Sequence, residues 1–399
     1  MTETLPTFPM ARATGCPFDP PPQLRELDPI SRVSIWSGET PWLVTGYDEQ
    51  RAVLADQRFS ADSSRAGYPH QSAAINARRR TFRTFIALDD PEHDRQRKML
   101  TRNFMVKRVD AMRPRVQQIV DGLIDDMLAG PQPADLVTAF ALPVPSLVIC
   151  ELLGVPYEDH DFFQACSRKL ISRESPPEEA IAANEALREY LLKLIAAKQQ
   201  TPADDLIGRL VSGQVAEGEL TVEEAADMSV LMLIAGHETT ANMIALGTLA
   251  LLEHPDQLAE LRDTDDPALI ANAVEELLRY LNIVHGGRRR VALTDVEVGG
   301  QLIRAGEGVI LANDAGNRDD SAFPDPDVLD IHRKARHHVA FGYGVHQCLG
   351  QPLARMELQV VYSTLYKRIP TLRLAIPLDE VQFKHEMVVY GVHTLPVTW

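Results

Sequence analysis

The stretch FGYGVHQCLG, Phe341 to Gly350, decides how the rest of this chain is read. It puts three glycines, a phenylalanine, a histidine and one cysteine into a turn-forming segment. A cysteine used only for packing behaves as a small apolar side chain and has no need of glycine neighbours. A zinc site at Cys348 with His337, His338 or His346 lacks a second tight ligand pair. Neither reading explains Gly342, Gly344 and Gly350. A planar macrocycle lying against the loop does, because glycine lets backbone approach closely. Its iron takes the thiolate and backbone N–H groups point at the sulfur. A helix over 351–366 then begins just past the cysteine, and its N-terminal dipole favours a negative sulfur.

The chain has 399 residues and is 45% hydrophobic, enough for a substantial core. Its 56 acids outnumber its 40 bases, for a net charge of -16. That sign argues against a nucleic-acid protein, which needs a basic face for phosphates. The four cysteines, Cys16, Cys150, Cys166 and Cys348, form no CxxC pair, so a disulfide framework is not expected. The N-terminus lacks a basic start and an apolar run, so neither a signal peptide nor a membrane anchor is expected there. The expectation is a cytoplasmic, soluble protein that binds no membrane.

No repeat or flexible linker divides the chain, so one domain, 1–399, is expected. Alternation bounded by Gly and Pro predicts strands at Arg32–Trp36, Pro41–Thr45 and within Val291–Leu311, with a hairpin turn at Gly299-Gly300. Further strand is expected at His385–His393 and at the last residues, the two ends of the chain meeting in space. Helical periodicity marks Asp94–Asn103, Met112–Leu128, Glu178–Gln200, Glu223–Glu253 and Pro267–Leu281. The fold class is therefore mainly α with a small β-rich region built from distant parts of the chain. Thr221 with Glu224 starts the most telling helix as a capping box, and His254-Pro255 stops it. Its middle is apolar on nearly every face, so it belongs in the core. His237, Glu238, Thr239, Thr240 and Asn242 interrupt that run, which excludes a membrane span and places them at a wet cavity or a ligand.

Four groups of residues bear chemistry. Gly236-His237-Glu238-Thr239-Thr240 offers an acid and an alcohol where a buried helix opens; HExxH is excluded because Ala241 stands at the second histidine position. Glu276 and Arg279 share one helical face, which taken alone reads as a surface salt bridge, with Glu275 on a solvated face. His93 and Arg97 face one way at i and i+4, and Arg290 opens a strand; together they suit carboxylates. Cys348 is the fourth.

In this order and spacing the motifs resemble the cytochrome P450 family over nearly the whole chain, closest to its soluble actinobacterial monooxygenases. FGYGVHQCLG is similar to the family's haem loop, AGHETT (235–240) to its oxygen-activation motif, and Glu276–Arg279 to its ExxR pair, joined by Arg333. The resemblance implies haem b, with Cys348 as the axial iron ligand. It implies haem contacts from His93, Arg97, Ala235, Arg290, Phe341, Gly342, His346 and Gly350, and proton delivery by Glu238 and Thr239. It implies a substrate pocket of Ile86, Leu231, Ile234, Ala235, Val284, Val388 and Val389, with specificity set near Arg65–Ala87 and Leu170–Ala186.

The implied reaction is hydroxylation of a bulky, mostly apolar molecule with O2. Polyketides, macrolides, terpenoids, steroid-like and statin-like compounds and xenobiotics all fit. Electrons would come from a ferredoxin and an NAD(P)H-dependent ferredoxin reductase, because the chain has no flavin fingerprint and no iron–sulfur cysteine set. Lys98, Arg102, Arg336 and Arg355 are candidates for docking the ferredoxin to a monomer. Two other readings stand beside this one. A nitric oxide reductase of the same family would take electrons directly from NADH, but its motif lacks the acid that stands here as Glu238. A haem sensor would need no acid–alcohol pair.

Overall fold

The structure is a computed structural model describing residues 5–12, 16–78 and 84–399. Of the Arg65–Ala87 stretch, residues 79–83 lie outside the described residues. The helices that position the site are α1 (Glu92–Thr101), α2 (Val106–Ala129), α3 (Pro143–Leu153), α4 (His160–Ile171), α5 (Pro177–Gln200), α6 (Val222–Leu252), α7 (Pro267–Leu281) and α8 (Gln351–Arg368). The capping box of α6 forms as expected: the Thr221 hydroxyl accepts from the Glu224 N–H at 3.0 Å, and the Glu224 carboxylate accepts from the Thr221 N–H at 2.9 Å. At 31 residues α6 crosses the core, covered by α3, α5, α7 and α8. Tyr362 of α8 donates to the Met243 carbonyl at 2.6 Å, which fixes α8 against it. Among the described residues no helix is long and apolar enough to cross a membrane, and all four cysteines are free.

A mixed sheet runs β1 (Ile30–Arg32), β2 (Trp42–Val44), β8 (Gly308–Leu311), β5 (Arg288–Ala292), β3 (Phe59–Ser60) in spatial order. β2 and β8 are parallel with Trp42 opposite Val309, and β5 is antiparallel to β8 with Arg290 opposite Val309. β6 (Val296–Val298) and β7 (Gln301–Ile303) form the expected hairpin, with Gly299 and Gly300 at φ 53° and 77°, the left-handed values that such a turn demands. A third sheet orders β4 (Ala134–Asp135), β10 (Pro396–Thr398), β9 (Arg373–Leu374).

Three strand expectations need correction. Regular pairing with β2 stops at Arg32 rather than running to Trp36, because Val33 faces Pro41, which has no N–H to return; beyond it Ser34 makes only an isolated bridge, to Thr7. His385–His393 forms no strand, only isolated bridges, Ser172 to Met387 and Phe383 to Val392. Its donors are spent elsewhere: Val388 N–H on the Ile171 carbonyl at 2.8 Å and Tyr390 N–H on the Ile283 carbonyl at 2.7 Å. The strands of the two chain ends do not pair; the front ones join β8 and β5, and the last joins β4 and β9.

Candidate active site

The Cys348 loop is held by its own backbone. Cys348 N–H donates to the Phe341 carbonyl at 2.9 Å, and a short 3-10 turn, Gly344–His346, precedes it. Gly344 sits at φ 71°, and a Cβ there would lie 2.3 Å from the Leu54 carbonyl oxygen. Turn geometry therefore explains that glycine. Gly350 is different. It has an ordinary φ of -79°, yet a Cβ built on it meets nothing within 4 Å. It borders an open cavity with Cys348, and its N–H bonds the Cys348 sulfur. Burial pushes the Cys348 thiol up, while Gly350 and the guanidinium groups of Arg288, Arg97 and Arg355 favour the thiolate.

Two adjoining cavities lie between this loop and α6, and Thr239, Thr240, Phe341, Cys348 and Ala354 line both. The space between atoms is about 800 Å³ in the first and about 570 Å³ in the second, open solvent at their mouths included. Ile86, Leu231 and Ala235 line the first and Val284 the second. Ile234, Val388 and Val389 line neither. Arg97 and His346 line the first cavity, and Arg97 donates to the Gln347 carbonyl at 2.6 Å. His93 packs its ring 4.0 Å from that of His346. One His93 nitrogen faces Asp90 at 2.9 Å, while Nε2 is buried with no partner among the described residues. Arg290 lies mid-strand in β5 rather than opening it, donates to the Arg289 carbonyl at 2.7 Å, and acts electrostatically on His346. Gly342, at φ 74°, backs onto Arg288.

Thr239 and Glu238 part company across α6. The Thr239 hydroxyl donates to the Ala235 carbonyl at 2.7 Å and faces Cys348. Glu238 is 4% exposed and opens instead onto a separate polar cavity with Arg168, Lys384, Glu386 and His393. Neighbours on a helix point about 100° apart, so one helix serves both sides. Burial tends to raise the Glu238 pKa, but His237, Lys384 and Arg168 outweigh it and hold the carboxyl below its usual range.

The Glu276–Arg279 pair is no surface bridge. Both side chains are fully buried, joined by two hydrogen bonds of 2.7 and 2.8 Å, and Arg333 adds a third to Glu276 at 3.1 Å. Glu275 is also buried, not solvated as its spacing suggested, because Arg355 grips it at 2.5 and 3.0 Å. That corrects Arg355 as a free docking charge; its guanidinium also lies 4.6 Å over Phe341. Lys98 pairs with Asp94 at 2.6 Å, whereas Arg102 and Arg336 are exposed.

Sequence reasoning missed two residues. Arg288 lines the second cavity beside Cys348; strand alternation from Arg290 was the available signal. Glu357 of α8 lines the first cavity, buried, with Oε2 unpartnered among the described residues and its pKa raised well above the usual value by burial. An acid on an otherwise apolar helix face was its only mark.

The sequence profile described as Cytochrome P450 matches residues 25–371. Cytochrome P450 GfsF of Streptomyces halstedii is 55% identical over 402 residues, covering 100% of this chain and 97% of that protein. A crystal structure of GfsF matches with a TM-score of 0.92 over 99% of this chain and 100% of the other. Cytochrome P450-SU2 of Streptomyces griseolus is 55% identical over 396 residues, 98% of this chain and 97% of that one. The mycinamicin VIII C21 methyl hydroxylase of Micromonospora griseorubida, solved with mycinamicin VIII, is 42% identical with a TM-score of 0.93, over 99% of this chain and 100% of its own. The chain belongs to the cytochrome P450 family and is similar to its actinobacterial members. It is a haem-dependent monooxygenase with the mainly α fold of that family, and bacterial members generally draw on redox partners. The residues fit the cofactor: a thiol bonded by a backbone N–H, a glycine with space where a Cβ would stand, and an orphaned His93 nitrogen beside arginines suited to carboxylates.

Proposed function

We propose that the chain, working as one domain over 1–399, hydroxylates a bulky apolar molecule of secondary metabolism in the cytoplasm, with electrons from a ferredoxin and its NAD(P)H-dependent reductase. Thr239 and Cys348 facing one another across an apolar cavity is the observation that carries this reading. The relative solved with mycinamicin VIII supports a substrate of that bulk. When bound, haem supplies the activation of O2 and its transfer into a C–H bond. Cys348 would ligate it through Sγ, its negative charge stabilised by the Gly350 N–H, Arg288, Arg97 and Arg355. Phe341 would cover the sulfur. His93, Arg97, Arg290 and His346 would hold the propionates, with Ala235 and Gly342 giving close approach on the two faces. Glu276, Arg279 and Arg333 would act at a distance, tying down the chain ahead of the loop.

In this reading Glu238 collects protons from the polar cavity behind α6 and Thr239 holds one in the cavity facing Cys348. Division of the pair across the helix keeps bulk water out of the apolar side. Ile86, Leu231 and Val284 shape the substrate space, with Ile234, Val388 and Val389 behind them. Thr239→Ala is expected to keep haem and its carbon-monoxide spectrum while a several-fold larger share of electrons goes to peroxide. Tight coupling in that variant would remove Thr239 from the relay. Rapid NADH oxidation with nitric oxide and no protein partner would instead favour the reductase reading.

A further inference from the structure

His237 stands beside Glu238 on α6 yet opens onto neither the cavities facing Cys348 nor the polar one behind the helix. It is fully buried, and its ring meets that of Phe163 of α4 edge-on, centroids 5.5 Å apart. Nδ1 lies 2.6 Å from the Leu233 carbonyl oxygen, one turn back along α6. A carbonyl only accepts, so Nδ1 carries a hydrogen. That fixes the other nitrogen, because in a neutral imidazole Nε2 is then a bare acceptor. Nε2 is buried with no hydrogen-bond partner among the described residues, and Oε1 of Glu238 stands 3.7 Å away.

At that distance the contact is electrostatic rather than hydrogen-bonded. A bare Nε2 and an ionised Oε1 would set two acceptors face to face in the core with no donor between them. One proton on the pair removes the conflict, and there are two places for it. On Oε1 it makes a neutral acid; on Nε2 it makes an imidazolium opposite a carboxylate. The charges around Glu238 choose between them. Arg168 of α4 and Lys384 border the same polar cavity, and Lys384 donates to the Asn242 side chain at 3.1 Å, one turn beyond Glu238. Both cations favour the carboxylate. The other charged groups of that cavity are paired, Glu386 with His393 at 3.2 Å and Lys169 with Glu179 at 3.1 Å. Burial raises the Glu238 pKa, and His237, ahead of Lys384 and Arg168, more than offsets it.

We propose that His237 is a proton store behind Glu238: the pair holds one proton, resting on Nε2 of His237, and passes it to Oε1 of Glu238. Transfer turns imidazolium and carboxylate into neutral imidazole and neutral acid, so the net charge of the pair stays zero and no charge crosses the core. Once Glu238 gives the proton up, one drawn from the polar cavity restores the pair. Closed off from both cavities, His237 exchanges through Glu238. It touches no substrate and acts only through that acid, so it is a positioning residue. This deepens the monooxygenase reading and rests on it for what the proton is used for.

The test is nitrogen NMR of the haem-loaded protein, with isotope-labelled histidine, in its diamagnetic ferrous carbon-monoxide form near neutral pH. Loss of signal in His237→Gln, or in His237→Leu should the first not fold, assigns the ring. Both nitrogens of His237 should be protonated in the parent, and the protonated fraction at Nε2 should fall at least about tenfold in Glu238→Gln. A bare Nε2 in the parent overturns the proposal, and so does a proton that stays on Nε2 in Glu238→Gln. A second arm measures the share of electrons released as peroxide. His237→Gln should raise it several-fold, and adding His237→Gln to Glu238→Gln should raise it no further. A double variant several-fold worse than Glu238→Gln alone overturns the storage role and makes His237 structural. Glu238→Gln with an unchanged peroxide share would fail the relay reading, and with it the use of the stored proton, while the NMR result shows separately that the pair shares one.

Discussion

Replacing Glu276 by alanine removes the centre of a buried ionic cluster. Its carboxylate takes two hydrogen bonds from Arg279, at 2.7 and 2.8 Å, one from Arg333 at 3.1 Å, and one from the Asp330 N–H at 3.0 Å. Without it, Arg279 keeps the carbonyls of Asn317 at 2.9 Å, Pro326 at 2.8 Å and Val328 at 3.3 Å, but has no counter-charge. Removing one partner of a buried pair costs about 3–5 kcal/mol, and the orphaned Asp330 N–H adds on the order of 1 kcal/mol. Glu276→Ala should therefore lose about 4–6 kcal/mol of the ~5–15 kcal/mol typical of a folded protein. Arg333→Ala should lose only about 1 kcal/mol, because Arg333 is partly exposed and Arg279 keeps its pair. Urea unfolding followed by fluorescence and by haem absorbance measures both. Haem uptake should fall with Glu276→Ala, since Arg279 and Arg333 hold the carbonyls of 324–328 ahead of the Cys348 loop. A Glu276→Ala protein within about 1 kcal/mol of the parent would refute the reasoning, as would an equal loss from Arg333→Ala.

Glu275 predicts an acid limb. Burial tends to raise its pKa, but His338 and Arg355 bring it down to about 2, below the roughly 4.3 of an unfolded chain. Its contribution is thus fully present above about pH 5 and lost as pH falls toward 2, on the order of 3 kcal/mol in all. Glu275→Gln should flatten stability against pH in that window; an unchanged limb would sink the assignment. The two loop glycines should separate: Gly344→Ala meets the Leu54 carbonyl and a left-handed φ, costing about 1–3 kcal/mol of stability. Gly350→Ala should leave apoprotein stability alone and weaken haem uptake by about tenfold; equal effects on folding would show that Gly350 serves the turn. Reduction by a ferredoxin should slow with added salt, and Arg102→Glu with Arg336→Glu should slow it by about tenfold at low salt. A rate indifferent to salt would remove docking from those arginines.

How far each part could be read in advance follows the range of its interactions. The capping box at Thr221 and Glu224, the Gly299-Gly300 hairpin and the ends of α6 are made by residues within a few positions of one another, and they form as expected. The 32–36 and 385–393 segments alternate just as well, yet their backbone groups are decided from outside the pattern: by Pro41, across the hairpin from Val33, and by Ile171 and Ile283, far away in sequence from 385–393. Charges behave the same way. Spacing put Glu275 and Glu276 on a helix, but only Arg355 and Arg279, packed from particular directions, say that both are buried.

The amino-acid sequence by itself determined the class of chemistry: a glycine-framed thiol, an acid–alcohol pair in a core helix and an ordered series of motifs, all encoded by residue type and local spacing. Folding alone decided which side of α6 each member of that pair serves and that the β5 face carrying Arg288 is the one turned to the cavity at Cys348. Those outcomes depend on what arrives opposite a side chain once distant segments pack, and no local pattern carries that information.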